Sequence, residues 1–341
     1  MVDVSFILPT YNVEKYIEKA VDALLAQKGG TFEIIIVDDG STDSSGAIAD
    51  RLATGDERIK VVHKENGGIG TARNAGMDVA QGEYITFPDP DDFVEPTLIS
   101  DNIAVAKKHN ADLVIFGFYN DVENENGTIT NISTCTPNLE GVYTYDEFQK
   151  AYPDCCDDPQ CVWNKLYRRE FLLENGCRHQ PFVLGQDVVF NCLVNSKPMK
   201  TVVANHGFYY HYINRENSSV NRYHPERLKD NFYITRAYEN MIKCWKRDKD
   251  SAYKKILYYT RTRDLHVGIK NVCLSKCPLS LKERQKWLKE QMKSKDTRIA
   301  VRKAPFNKFP RKAEKIKLFL LKLHLYNAVI WLNSYRSDRG I

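Results

Sequence analysis

Two runs of apolar, mostly β-branched residues open the chain, Val4-Ser5-Phe6-Ile7-Leu8 and Phe32-Glu33-Ile34-Ile35-Ile36-Val37, each followed by turn residues and a helical repeat. Runs that are apolar on both faces predict strands of a parallel sheet covered by helices on either side. The spacing of Tyr16, Ala20, Ala23 and Leu24 predicts a helix from about 13 to 27, closed by Gly29-Gly30. Further strands are expected at 59–62, 84–87 and 113–118, and helices near 44–51, 70–80 and 96–109. This βαβα order argues for an open, mostly parallel α/β sheet flanked by helices, whose ligands sit beyond the strand carboxyl ends. From about 226 the strand signals fade into a helical extension. Within it, 316–332 is mostly apolar but interrupted by Lys317, Lys322, His324 and Asn327, which suits a helix lying on a membrane better than one spanning it.

At 341 residues, 43% hydrophobic and 27% charged, the chain has the make-up of a globular protein with a full core. The formal charge of +5 conceals a split, because residues 1–225 are acidic on balance and 226–341 strongly basic. Such a division suggests an acidic site that holds a cation, joined to a tail that meets an anionic membrane surface; two solvated faces are the plainer alternative. The nine cysteines are odd in number and include no paired C-x-x-C arrangement. Buried thiols in a reduced, cytoplasmic setting are therefore expected, all the more because the chain starts directly with a strand.

Candidate chemistry gathers where strands end. After the first strand comes Pro9-Thr10-Tyr11-Asn12 and after the second Asp38-Asp39-Gly40-Ser41-Thr42-Asp43. Two carboxylates there can accept hydrogen bonds from a base or ribose, and Tyr11 offers a stacking plane. Ser41 and Asp43 read as helix caps. Asp89, Asp91 and Asp92 place three carboxylates in four residues, a density that calls for a cation such as Mg²⁺ or Mn²⁺ bridging a nucleotide's phosphates. The stretch Gly68-Ile69-Gly70 begins a dinucleotide fingerprint that fails at Arg73. What remains is a glycine-rich turn whose helix carries Arg73 and Asn74 toward a nucleotide.

Together, Val4 to Asn12, Val37 to Asp43, Asn66 with Gly68, Ala72-Arg73-Asn74-Ala75-Gly76 and Gly82-Glu83-Tyr84 leading to Asp89-Pro90-Asp91-Asp92 resemble glycosyltransferase family 2. The members in view are those that build bacterial cell-surface polysaccharides on a GT-A fold, mostly with inversion. The resemblance runs to about residue 225. It implies a catalytic domain over 1–225, with a nucleotide half at 1–100 and an acceptor half at 101–225; beyond it the residue pattern itself gives a helical extension at 226–300 and a basic amphipathic tail at 301–341. By it, Tyr11, Asp39, Asn66 and Arg73 would hold the uridine with Pro9 beside them, Asp89 would reach the ribose or diphosphate, and Asp91 would ligate Mn²⁺ or Mg²⁺. Trp163 looks like part of the family's tryptophan motif, lining the acceptor cleft or anchoring the core. Gly185-Gln186-Asp187 looks like its acidic catalytic motif, with Gln186 where glutamate is usual, so that Asp187 is the one carboxylate left as general base. A helix cap is the alternative reading of Asp187. The stretch 209–219 looks like the loop over the diphosphate, where Arg215 and Ser219 would neutralise the leaving group; His211 is kept out of the metal set.

The expectation is an inverting, metal-dependent transfer from a UDP-sugar to a hydroxyl of a lipid-linked glycan at the cytoplasmic face of the membrane, with no nucleic-acid partner. A non-catalytic partner subunit that binds nucleotide-sugar, with Gln186 marking a decayed site, is the rival reading. A dehydrogenase or nucleotidyltransferase fits less well, since neither a complete dinucleotide fingerprint nor a P-loop is present.

Overall fold

A computed structural model describes residues 2–124, 127–155, 160–181, 185–214, 223–225, 227–309 and 311–338, with the backbone alone at 228–232 and 336–338. The chain forms two compact units, 1–215 and 216–341.

The first unit begins as alternating strands and helices: β1 (Val4–Thr10), α1 (Ile17–Leu25), β2 (Phe32–Asp38), α2 (Ser45–Gly55), β3 (Ile59–His63), α3 (Ile69–Val79) and β4 (Tyr84–Thr86). β1 pairs in parallel with β2 on one side and β4 on the other, and β2 with β3. Every residue of β1 and β2 is buried, as strands apolar on both faces must be. α1 buries Ile17, Ala20, Val21 and Leu24, a stripe of helical period. On α3, Gly76 packs so closely on β1 that a Cβ there would meet Ile7 Cγ2 at 2.3 Å, a contact only glycine permits. α1 starts later than its periodicity predicts. Asn12 turns into the left-handed region at φ 52°, and the Val13 N–H is donated to Ser45 Oγ at 2.9 Å, so 13–16 form a turn before the helix begins.

The remainder of this unit comprises β5 (Phe93–Val94), α4 (Leu98–Lys108), β6 (Leu113–Glu123), β7 (Ile129–Cys135), β8 (Gly141–Thr144), α5 (Tyr145–Cys155), β9 (Lys165–Arg168), α6 (Arg169–Glu174), α7 (Gln186–Asn195) and β10 (Thr201–Asn214). Among the described residues ten strands make one mixed sheet, ordered β3-β2-β1-β4-β9-β6-β10-β5, with β7 on β6 and β8 on β10. β6 and β10 are parallel, and antiparallel pairing enters through the shorter strands. β9 joins the two halves by running antiparallel between β4 and β6. Arg168 locks this joint, donating to Asp112 at 3.2 Å, Glu83 at 2.9 Å and Tyr84 Oη at 2.7 Å. The carboxyl ends of β1, β2 and β4 thus share one rim, with Thr10 opposite Asp38 and Phe6 opposite Thr86.

The second unit contains α8 (Arg227–Cys244), α9 (Ser251–Val272), α10 (Leu281–Gln291), α11 (Lys295–Lys303), α12 (Lys312–Lys322) and α13 (Tyr326–Asp338). Asp250, Ser280 and Ser294 cap α9, α10 and α11. Leu265, Ile269 and Val272 of α9 pack with Leu288, Val301, Leu318, Leu321, Val329 and Ile330 in one core. The apolar run 316–332 is therefore two helices rather than one, separated where His324 takes φ 60°, and its Leu318, Leu321, Val329 and Ile330 face inward. Among the described residues no helix is long and apolar enough to cross a membrane.

Candidate active site

The rim is organised first by Asp38, which ends β2, and Asp39, which follows it. Asp38 accepts from the Ser41 N–H at 2.9 Å and pairs with His63 Nδ1 at 3.0 Å, so it fixes the turn and the end of β3. Asp39 is 3% exposed. It accepts from Gly67 N–H at 3.0 Å, Gly68 N–H at 2.8 Å and Lys64 Nζ at 2.5 Å. Its carboxylate thus holds the 64–68 loop in place, and Gly40 permits the approach, since a Cβ there would meet Asn66 N at 2.9 Å. Tyr11 is 49% exposed, and Asn66 is exposed too, so both side chains are open to solvent at this rim. Pro9 is buried inside β1, so it shapes the strand end and offers no surface of its own. Neither expected cap holds the N-cap position of α2, which is Ser44 with no side-chain cap bond: Asp43 accepts from Ser45 N–H at 2.9 Å, while Ser41 Oγ accepts from Asn12 N–H at 3.2 Å and ties the turn after β1.

Beyond β4 the three clustered carboxylates separate into different tasks. Asp92 is buried and accepts from Tyr210 Oη at 2.9 Å and Ile213 N–H at 2.8 Å, anchoring β10. Burial, with Asp91 and Asp89 nearby, pushes it well above the usual carboxylate range. Asp89 accepts from Arg73 Nη2 at 2.9 Å. Burial raises Asp89 to about 7, Arg73 opposing and the neighbouring acids adding to the rise. Asp91, half exposed, is the third.

Arg73, on the second turn of α3, is 1% exposed. It spans from Asp89 to Asp187, whose Oδ1 accepts from Nη1 at 2.5 Å. Burial acts to lower its pKa, and the two carboxylates outweigh it. A buried guanidinium between two acids from distant segments joins the end of β4 to the start of α7. The expectation that Asn74 also reaches toward a nucleotide gives way to a different role. Its amide donates to His179 O and accepts from His179 N–H, each at 2.9 Å.

Asp187 lies in the first turn of α7, which follows Gly185 at φ 76°, and it caps no helix. Its Oδ1 takes a second bond, from Gln186 Nε2 at 2.5 Å. Among the described residues its Oδ2 has no hydrogen-bond partner. Gln186 is 4% exposed, and its Oε1 lies 2.9 Å from His179 Nδ1. Since Gln186 spends its amide on Asp187, its oxygen must accept, which puts the His179 proton on Nδ1. His179 stacks on Phe190 at 3.8 Å, and burial, then Arg73, holds its pKa well below the usual range. The glutamine in place of glutamate is thus an integral link between a neutral histidine and the one remaining carboxylate. Sequence reading noted only the missing charge; neither His179 nor Lys64 carried any signal.

Two further expectations change. Trp163 is 6% exposed, stacked on Tyr210 at 4.3 Å and edge-on to Phe118 at 4.7 Å. Such burial makes it a core anchor and leaves no open face for a sugar. The stretch read as a diphosphate loop from 209 is strand β10 as far as Asn214; Arg215 and Ser219 lie outside the described residues. His211 is sandwiched between Phe93 and Tyr119 at 4.3 and 4.5 Å. Its two ring nitrogens meet Asp121 at 2.7 Å and Glu95 at 2.8 Å, so both are engaged by carboxylates.

Residues 5–175 match the family described as Glycosyl transferase family 2. The chain is 31% identical over 330 residues to the uncharacterized glycosyltransferase EpsJ of Bacillus subtilis, covering 94% of this chain and 93% of that protein. Among solved structures, S. aureus TarS in complex with UDP-GlcNAc is similar in fold, with a TM-score of 0.67 at 19% identity over 99% of this chain and 92% of that one. The mannosyltransferase PcManGT of Pyrobaculum calidifontis, in complex with GDP-Man and Mn²⁺, gives a TM-score of 0.52 at 14% identity, covering 99% of this chain and 89% of that one.

Proposed function

Because the chain belongs to glycosyl transferase family 2, we propose that it transfers a sugar from a UDP-sugar to an acceptor hydroxyl with inversion, using Asp187 as base. One observation carries this reading. Arg73 pins Oδ1 of Asp187 while Oδ2 has no partner among the described residues, which is how a carboxylate fixed in direction and open to a proton is built. As the acceptor oxygen bonds to the anomeric carbon, its proton passes to Asp187 Oδ2. The bond from that carbon to the diphosphate breaks on the opposite face, releasing the nucleoside diphosphate. Tyr11 and Asn66 would meet the nucleoside, with Asp39 acting through the loop that it clamps. The UDP preference is supported by the fold shared with a protein solved with UDP-GlcNAc.

A divalent cation fits the donor set at β4. No group of three or more acids, histidines or cysteines suited to a metal occurs among the described residues, but Mn²⁺ or Mg²⁺ needs only one or two carboxylates when phosphate and water complete its shell. Asp91 would hold it with Asp89 alongside; when bound, it offsets the charge of the leaving diphosphate. Asp91→Ala is expected to abolish the gain in UDP affinity that Mn²⁺ gives the wild type, measured by calorimetry. A variant with the same cation-dependent gain as the wild type overturns the ligand assignment.

The acceptor we propose is a lipid-linked glycan met at an anionic membrane surface. Ile316 (46% exposed), Phe319 (53%) and Leu323 (51%) form one apolar stripe along α12 and its end, among Lys312, Lys315 and Lys322. Apolar side chains framed by lysines suit shallow insertion, with roughly 1 kcal/mol per basic residue near anionic lipid. Leu318 and Leu321 are in the core, so the fair test spares them. The triple substitution Ile316→Ser, Phe319→Ser, Leu323→Ser is expected to lose flotation with anionic liposomes at low salt. Equal flotation of variant and wild type, or none by the wild type, contradicts it.

A further inference from the structure

The helical unit holds a cavity of about 410 Å³ whose charged lining is almost all cationic. Arg227, Arg263, Lys270, Arg311 and Lys317 line it, and Glu314 is the one acid among the described lining residues. Asp264 Oδ1 lies 3.8 Å from Arg263 Nη2 and offsets part of this charge; the remaining like charges repel, and an anion bound among them offsets that repulsion. A second observation points the same way. His266 lines this cavity, is 4% exposed, and has no hydrogen-bond partner at either ring nitrogen. Its ring packs on Phe309 at 5.0 Å, and burial, followed by Lys317, holds its pKa well below the usual range. The ring is therefore neutral, with one N–H donor left unused. An unsatisfied buried donor destabilises the fold, and one beside five cations is placed for an acceptor of negative charge.

We propose that this cavity binds a phosphorylated group, a diphosphate or a phosphodiester, held by Arg263, Lys270, Arg311 and Lys317 with His266 donating its N–H. Guanidinium groups match phosphate oxygens in pairs, and the volume lies in the range of small-molecule sites. The site shares no residue with the donor machinery described above, so it stands or falls independently of the catalytic reading.

The test uses the full chain in metal-free buffer, with inorganic pyrophosphate titrated by calorimetry. Lys270 and Arg311 are exposed, so Lys270→Ala with Arg311→Ala leaves the core intact. This double variant is expected to bind pyrophosphate at least about tenfold more weakly, roughly 1.4 kcal/mol, with UDP binding unchanged. His266→Phe is expected to weaken pyrophosphate as well while raising the melting temperature of the free protein, because an unsatisfied donor is removed. Flotation with phosphatidylcholine vesicles, with and without phosphatidic acid, separates the sources. Pyrophosphate that competes with vesicle binding assigns a lipid phosphate, and pyrophosphate binding that leaves flotation untouched assigns a soluble one. Equal pyrophosphate affinity in wild type and double variant, or no measurable binding by the wild type, overturns the proposal.

Discussion

Asp187→Asn is expected to bind donor nearly as well as the wild type while transferring sugar about 10²–10⁴-fold more slowly, the usual cost of a lost general base. The substitution keeps the shape of the site. An asparagine carbonyl can still accept from Arg73 and Gln186 where Oδ1 now does, which turns its NH₂ to the place of Oδ2. That group donates where the carboxylate would accept, so the acceptor hydroxyl finds no base. Single-turnover transfer and donor calorimetry on the same preparation separate chemistry from binding. Transfer at the wild-type rate would put the base on another residue.

Arg73→Met is expected to be the most damaging single change in the first unit. Arg73 is buried with both partners partly covered, and its loss leaves Asp89 and Asp187 near each other without their shared cation. Breaking a buried pair by removing one partner costs about 3–5 kcal/mol, a large share of a typical domain's stability. Arg73→Lys is expected to recover only part of this, because one ammonium cannot fork to two carboxylates from α3 as Nη1 and Nη2 do. Chemical denaturation of both variants, with transfer assayed on the folded fraction, checks the order wild type, Lys, Met. A methionine variant that unfolds at the wild-type midpoint would show that the bridge organises nothing.

The region from β1 to β4 is legible in the sequence because its signals are local. Apolar runs predicted β1 and β2, and turn residues marked the rim that Asp38 and Asp39 occupy. What misled were side chains whose partners lie far along the chain. The start of α1 depends on Asn12 and on Ser45. Trp163 sits in a motif suggestive of a cleft, yet Phe118 and Tyr210 enclose it. Gln186 was read as a missing carboxylate, and only its contacts with His179 and Asp187 show what a glutamine does there. In the second unit periodicity could not divide 316–332, because the left-handed turn at His324 has no glycine to announce it.

The central claim is turnover, and it is tested most directly by incubating the full chain with labelled UDP-, GDP- and dTDP-sugars, with and without Mn²⁺ or Mg²⁺. Transfer or hydrolysis of a UDP-sugar that requires the cation and disappears in Asp187→Asn is the expected result. Donor bound tightly but never turned over, under every cation and donor, would contradict it and leave a nucleotide-sugar-binding partner subunit in its place.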